Sequence, residues 1–137
     1  MLGYLTDDIK ITKVKDHSTA ATDAVTSDEL DMAGYDGVLF VTSFGTANSG
    51  NLVTLHDGAT SGGEAATVAL ITSGSSDEDV ILDVRNPRRY VQLVATRGAS
   101  STLESIWAIQ YRTRALPVTN ALTGTRAVAQ FTAPAAA

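Results

Sequence analysis

The sequence contains no cysteine. That excludes disulfides, thiolate zinc sites and cysteine nucleophiles, and it leaves the redox compartment undetermined. Long apolar runs are missing too, since none approaches the ~20 residues of a membrane-spanning helix. The first stretch carries Asp7 and Asp8 and no continuous apolar segment, so it reads as mature protein and not as a secretory signal. No G-x-S-x-G is present, and neither is a G-x-x-x-x-G-K-[ST] or G-x-G-x-x-G loop. A nucleophile elbow and a phosphate cradle therefore find no support. His17 and His56 read as half-exposed residues in or beside turns, not as the base of a triad. Charge is sparse: Asp, Glu, Lys and Arg make up 18% of the chain, against about 25% in an average soluble protein.

What is present suits one folded domain. The 137 residues are 44% hydrophobic, rich in Val, Ala, Thr and Leu, which is enough to bury a core and too apolar for disorder. The net charge of −5 hides an uneven distribution. The lysines, Lys10, Lys13 and Lys15, are confined to the start, and every arginine lies at or after Arg85. Residues 16–84 hold 12 acidic groups and no Lys or Arg. Two arrangements fit this polarity: basic strands lying beside acidic ones, or a particle with one electropositive and one electronegative end.

Strand signals recur at short intervals, separated by Gly- and Ser-rich turns. Gly37 to Phe44 is dense in apolar residues, which predicts a central strand covered on both faces. Asn51 to His56 is the next strand, and Asp57-Gly58 favours a hairpin or bulge after it. Ala65 to Ile71 reads as a strand or a short helix, and Val80 to Val84 as a strand broken by Asn86-Pro87. Tyr90 to Thr96 alternates, with Val91, Leu93 and Ala95 on one face. Ser105 to Arg112 alternates again, placing Ile106, Ala108 and Gln110 opposite Trp107, Ile109 and Tyr111. Ile9 to Lys15 has the same period until Val14 breaks it. No stretch sustains a capped helical period.

The expected fold is all-β: a two-sheet antiparallel β-sandwich of jelly-roll type, with roughly seven or eight strands and extended terminal arms. Residues 1–20 form an N-terminal strand or arm, 21–117 the sandwich, and 118–137 an Ala- and Thr-rich arm or edge strand too poor in apolar mass for a core of its own.

Acidic clusters at Asp28-Glu29…Asp31 and Asp77-Glu78-Asp79 offer oxygens to a Ca²⁺ ion but lack the alternation and central glycine of an EF-hand loop, so they read as solvated turn acids. The arginines raise nucleic-acid binding as a rival, with Tyr90, Trp107 and Tyr111 as stacking groups. A pI of about 4.8 and the acidic first half oppose it. A protein interface uses the guanidinium fork equally well. Trp107, with Tyr111 on the same face, also fits a sugar-stacking platform, although a single tryptophan in an apolar strand more commonly packs in a core.

Three segments carry a resemblance: Leu30-Asp31-Met32-Ala33-Gly34-Tyr35-Asp36-Gly37-Val38-Leu39-Phe40-Val41, Leu82 to Val91 through Asn86-Pro87, and Ala108 to Arg114 with Pro117-Val118. Together they resemble jelly-roll capsid cement or decoration proteins of tailed bacteriophages, over about residues 28–118. The resemblance implies a non-enzymatic virion component without a cofactor. It would bind the major capsid protein on the assembled shell as a homodimer or homotrimer, with no membrane and no direct nucleic-acid contact. The expected partner interface is the basic C-terminal part: Arg85, Arg88, Arg89, Arg112, Arg114, Arg126 and Phe131. Another head or neck component and a carbohydrate-binding module are the alternatives.

Overall fold

The computed structural model describes residues 3–72 and 79–113. Among these residues a single 3-10 turn, Leu5–Asp7, precedes eleven strands: β1 (Lys10–Lys15), β2 (Ser18–Ala21), β3 (Val25–Thr26), β4 (Leu30–Asp31), β5 (Gly37–Ser43), β6 (Leu52–Gly58), β7 (Ala66–Thr72), β8 (Asp79–Arg85), β9 (Tyr90–Thr96), β10 (Ser101–Leu103) and β11 (Ile106–Tyr111). The first sheet has the order β1-β11-β5-β8 and the second β3-β9-β6-β7, with β4 also on β9; β10 and β2 form a small ribbon. Every pairing is antiparallel. The protein is all-β, as its alternating pattern requires.

The two sheets share one core. The first contributes Val14, Val38, Phe40, Val80, Leu82, Ile106 and Ala108, and the second Val25, Leu30, Val53, Leu55, Val91, Leu93 and Ala95. The inward faces of β9 and β11 are those the alternation predicts, since a side chain points to the same face only every second residue. Polar side chains buried in the core of the sandwich find partners. Gln110 donates to the Asp31 carbonyl at 2.9 Å, Thr42 to the Glu104 carbonyl at 3.0 Å, and Asn51 to the Thr46 carbonyl at 3.1 Å. Each is the satisfaction that a buried donor demands.

The hairpin expected after β6 is present, with a register break between Leu55 and His56. Asp57-Gly58 closes β6 inside the sheet, opposite Val91 and Tyr90, and the turn that follows places its positive φ (79°) at Gly62. His56 accordingly lies within β6 and not beside a turn. Ala66–Thr72 resolves as a strand. The short strands β2, β3, β4 and β10 have too few residues to show a period in sequence.

Chain order and sheet membership alternate. The chain passes from one sheet to the other between β1 and β3, β4 and β5, β5 and β6, β7 and β8, β8 and β9, and β9 and β11; β6 and β7 form a hairpin within the second sheet. These crossing loops, with the β6–β7 turn, build the ends of the sandwich. One end gathers residues 32–36, 59–65, 86–89 and 112–113.

Candidate functional site

That end collects all four of the predicted interface arginines that lie within the described residues. Arg85 closes β8 opposite Gly37, and Gly37 in turn faces Tyr111 on β11, just before Arg112. Arg88 and Arg89 occupy the turn between β8 and β9. Asn86 starts that turn in the left-handed region (φ 55°), and its N–H donates to the Asp36 carbonyl at 2.8 Å. Asparagine tolerates this backbone better than most residues. Arg114, Arg126 and Phe131 lie outside the described residues.

The four arginines divide by role. Arg88 is anchored: its Nε and Nη2 reach Asp57 Oδ1 at 3.0 and 2.9 Å, its backbone N–H reaches Oδ2 at 2.9 Å, and Nη2 also meets the Asp57 carbonyl. The Asp57 side chain is only 4% exposed. Burial alone would raise its pKa. The Arg88 backbone and guanidinium outweigh burial and hold the carboxyl below its ordinary value. Arg89 forms a fork on Asp31 at 3.0 and 3.1 Å and lies 5.1 Å from the Tyr90 ring centroid. The hydrogen bond from Arg89 lowers the Asp31 pKa, against a smaller contribution from burial. Both acids come from the lysine- and arginine-free segment, so basic and acidic halves interleave here. Arg85 and Arg112 are exposed, and among the described residues neither forms an ion pair. Their charges converge on Tyr111, whose phenol donates to Asp83. Arg97, also an arginine near a strand end, is buried and donates to the carbonyls of Asp23, Thr19 and Ser101.

A second feature escaped the sequence reading. Strand register sets Lys13, Trp107, Val41 and Ile81 in one row across the outer face of the first sheet, and Ile11, Ile109, Leu39 and Asp83 in the next. Trp107, Ile109, Leu39, Val41 and Ile11 are half-buried, and Ile81 is 69% exposed. Trp107 is thus not a core residue; Lys13 Nζ sits 5.9 Å from its ring centroid. A depression of ≈ 510 Å³ opens on this face, lined by Val41, Ile81 and Trp107 with Asp79, Glu104 and Ser105 around them. The signal lies in β5, which is apolar at both parities: its sequence predicts coverage on both faces, and the structure leaves its outer face partly open.

The acidic cluster at residues 28–31 is tied into the fold. Glu29 accepts from Ser61 Oγ and the Gly62 N–H, each at 2.7 Å, and Asp31 from Arg89 and the Ala33 N–H. Among the described residues no three acidic or histidine side chains converge on one point. Asp77 and Glu78 lie outside the described residues. Compared with known proteins, the chain matches no family model, no curated protein and no solved structure.

Proposed function

We propose that this protein is a structural binding module that attaches to the assembled shell of a tailed-phage capsid, as a cement or decoration protein without catalytic turnover. The observation that carries the binding role is the apolar outer face of the first sheet. A sandwich needs one apolar face per sheet, and its solvent face is ordinarily polar. Rows such as Trp107, Val41 and Ile81 therefore mark a surface built for contact. The capsid as partner rests on the resemblance of residues 28–118.

The strand order supports the finer fold reading, a jelly roll. Four principal strands in each sheet (β1, β11, β5 and β8 against β3/β4, β9, β6 and β7), with all but one successive connection crossing the sandwich, fit the two interleaved Greek keys of that reading.

Attachment would come from burying the apolar face against the major capsid protein, with Arg85 and Arg112 reaching acidic groups of the shell. Fully burying one side chain such as Ile81 contributes about 1.5–3 kcal/mol. Many copies on a lattice multiply a modest contact. Arg88 is unsuited to test this, because reversing its charge would set a second carboxylate against buried Asp57.

The test mixes purified protein with phage shells that lack a decoration protein and sediments them. Stoichiometric occupancy is expected, reduced by Ile81→Asp and by Arg85→Glu with Arg112→Glu. No occupancy on any shell would sink the capsid reading. The outward position of Trp107 then favours the glycan-binding alternative, which Trp107→Ala should abolish.

A further inference from the structure

Among the described residues the two sheets have four edges, and they are not alike. β1 carries Lys10, Lys13 and Lys15 and breaks register between Lys13 and Lys15. Lysines and a bulge are standard means by which an edge strand is kept from pairing with another chain. β3 and β4 are two residues each. β7 pairs with β6 through a register break between Leu55 and His56. β8 differs from all of these. It pairs with β5 without interruption from Asp79 to Arg85, and it contains no lysine, glycine or proline.

Its sequence is also complementary to itself. If two β8 strands meet antiparallel about a two-fold axis through Leu82, Asp79 faces Arg85 of the second copy, and Arg85 faces that copy's Asp79. Val80 then faces Val84, Ile81 faces Asp83, and Leu82 faces Leu82. Moving the axis by one residue either loses this match or sets like charges together: centred on Ile81 it opposes Asp79 to Asp83, and centred on Asp83 it opposes Asp83 to itself. Cross-strand pairs of opposite charge stabilise a ladder, and like charges directly opposite weaken it. Asp79 is already positioned, accepting from Ser43 Oγ at 2.8 Å. Asp83 is turned along its own sheet to Tyr111.

We propose that β8 is a homodimerisation edge, pairing with β8 of a second copy in the register centred on Leu82. The first sheets of two molecules then become one continuous eight-stranded sheet, in which each apolar outer face adjoins the other. The contact is isologous, so each charge pair occurs twice. Edge pairing supplies main-chain hydrogen bonds, and the Asp79–Arg85 pairs select the register.

The experiment is light scattering coupled to size-exclusion chromatography on the full chain over a range of concentrations, with no shell present. It therefore fails or succeeds independently of the capsid reading. The expected result is a concentration-dependent dimer. Asp79→Arg or Arg85→Asp alone replaces two attractive pairs with two repulsive ones and should weaken the dimer by at least about tenfold. The exchanged variant, Asp79→Arg with Arg85→Asp, should restore it. Circular dichroism checks that each variant retains its β structure, and Ile81→Lys, which leaves both charges in place, should leave the dimer register intact. A strictly monomeric chain, a trimer, or a dimer indifferent to the single reversals would overturn the proposal.

Discussion

Tyr111 on β11 donates its phenol to Asp83 on β8 by passing over Gly37 of the intervening strand β5. A Cβ at residue 37 would overlap the ring. Gly37 is thus a close-approach glycine and not a turn residue; the positive φ of the preceding turn (87°) belongs to Gly34. Burial and the bond to Asp83 both raise the Tyr111 pKa, with the neighbouring charges of Arg85 and Arg112 opposing them.

Gly37→Ala should therefore destabilise the fold by about 1–3 kcal/mol through overpacking, although alanine is otherwise preferred over glycine in a strand. Made in a Tyr111→Ala background, the same substitution should cost less than about 1 kcal/mol, because the methyl group enters space the ring has left. Urea unfolding of the four proteins gives the coupling. Equal losses in both backgrounds would show that the ring does not impose glycine at this position.

Arg88→Ala removes the guanidinium, but not the backbone N–H at residue 88, from a carboxylate whose side chain is 4% exposed, while the arginine side chain itself is 53% exposed. Half-exposure of the cation moderates the loss, which should be about 2–3 kcal/mol. The pH dependence follows from the sign of the shift. Asp57 has a folded-state pKa below its unfolded value, so its contribution is present above the unfolded value and is lost as pH falls through the depressed one. Stability against urea should thus fall on acidification in the wild type, and less steeply in Arg88→Ala. Parallel profiles for the two proteins would contradict this account.

The sandwich was legible because β9 and β11 alternate cleanly, and one face of each is buried as the pattern predicts. The arginine pairings were not. Arg88 lies 31 residues from Asp57 and Arg89 lies 58 from Asp31, so local pattern could only place them in a turn near Pro87. The same limit applies to Asp57-Gly58, a turn dipeptide in sequence, which stays in the sheet where Asp57 meets Arg88. Apolar residues at both parities of β5 signalled two covered faces. A sequence does not distinguish coverage by its own chain from coverage by a partner, and the second face became visible only through register.

Glu29 and Glu64 bring their carboxyls together beside the turn between β6 and β7, where a proton on one lets it hydrogen-bond the other. That bond, with those from Ser61 and Gly62, lowers the Glu29 pKa; contact with Glu29 and desolvation raise the Glu64 pKa. Glu64 Oε1 is enclosed with no donor facing it, which a proton on the Glu64–Glu29 pair would resolve. The signs differ between the partners. The Glu64 contribution is present below its unfolded pKa and lost as pH rises through the raised value, whereas that of Glu29 is lost as pH falls through its depressed value. The turn should be held most firmly between the two. Exchange of the Gly62 amide, which donates to Glu29, measures this directly. Glu64→Gln, which donates without titrating, should retain protection above the window where the wild type loses it. Identical pH profiles would dismiss the shared proton.

Arg112 has φ 55°, a left-handed backbone in which a side chain is unfavourable by roughly 1–2 kcal/mol. Replacement by glycine relieves that strain but adds freedom to the unfolded chain, at about 0.4–1 kcal/mol. Arg112→Gly should therefore stabilise the protein by about 0.5–1 kcal/mol, measured by urea or thermal unfolding. Asn86, at the same φ, provides the control: asparagine already tolerates this region, so Asn86→Gly should gain little. A strained, exposed arginine beside Arg85 is the pattern expected where a side chain is retained for contact at the expense of stability. On the proposed capsid reading, Arg112→Gly raises the unfolding midpoint and lowers shell occupancy in sedimentation together. A variant that loses stability would remove the strain argument, and one that gains stability with full occupancy would leave Arg85 alone as the cationic contact.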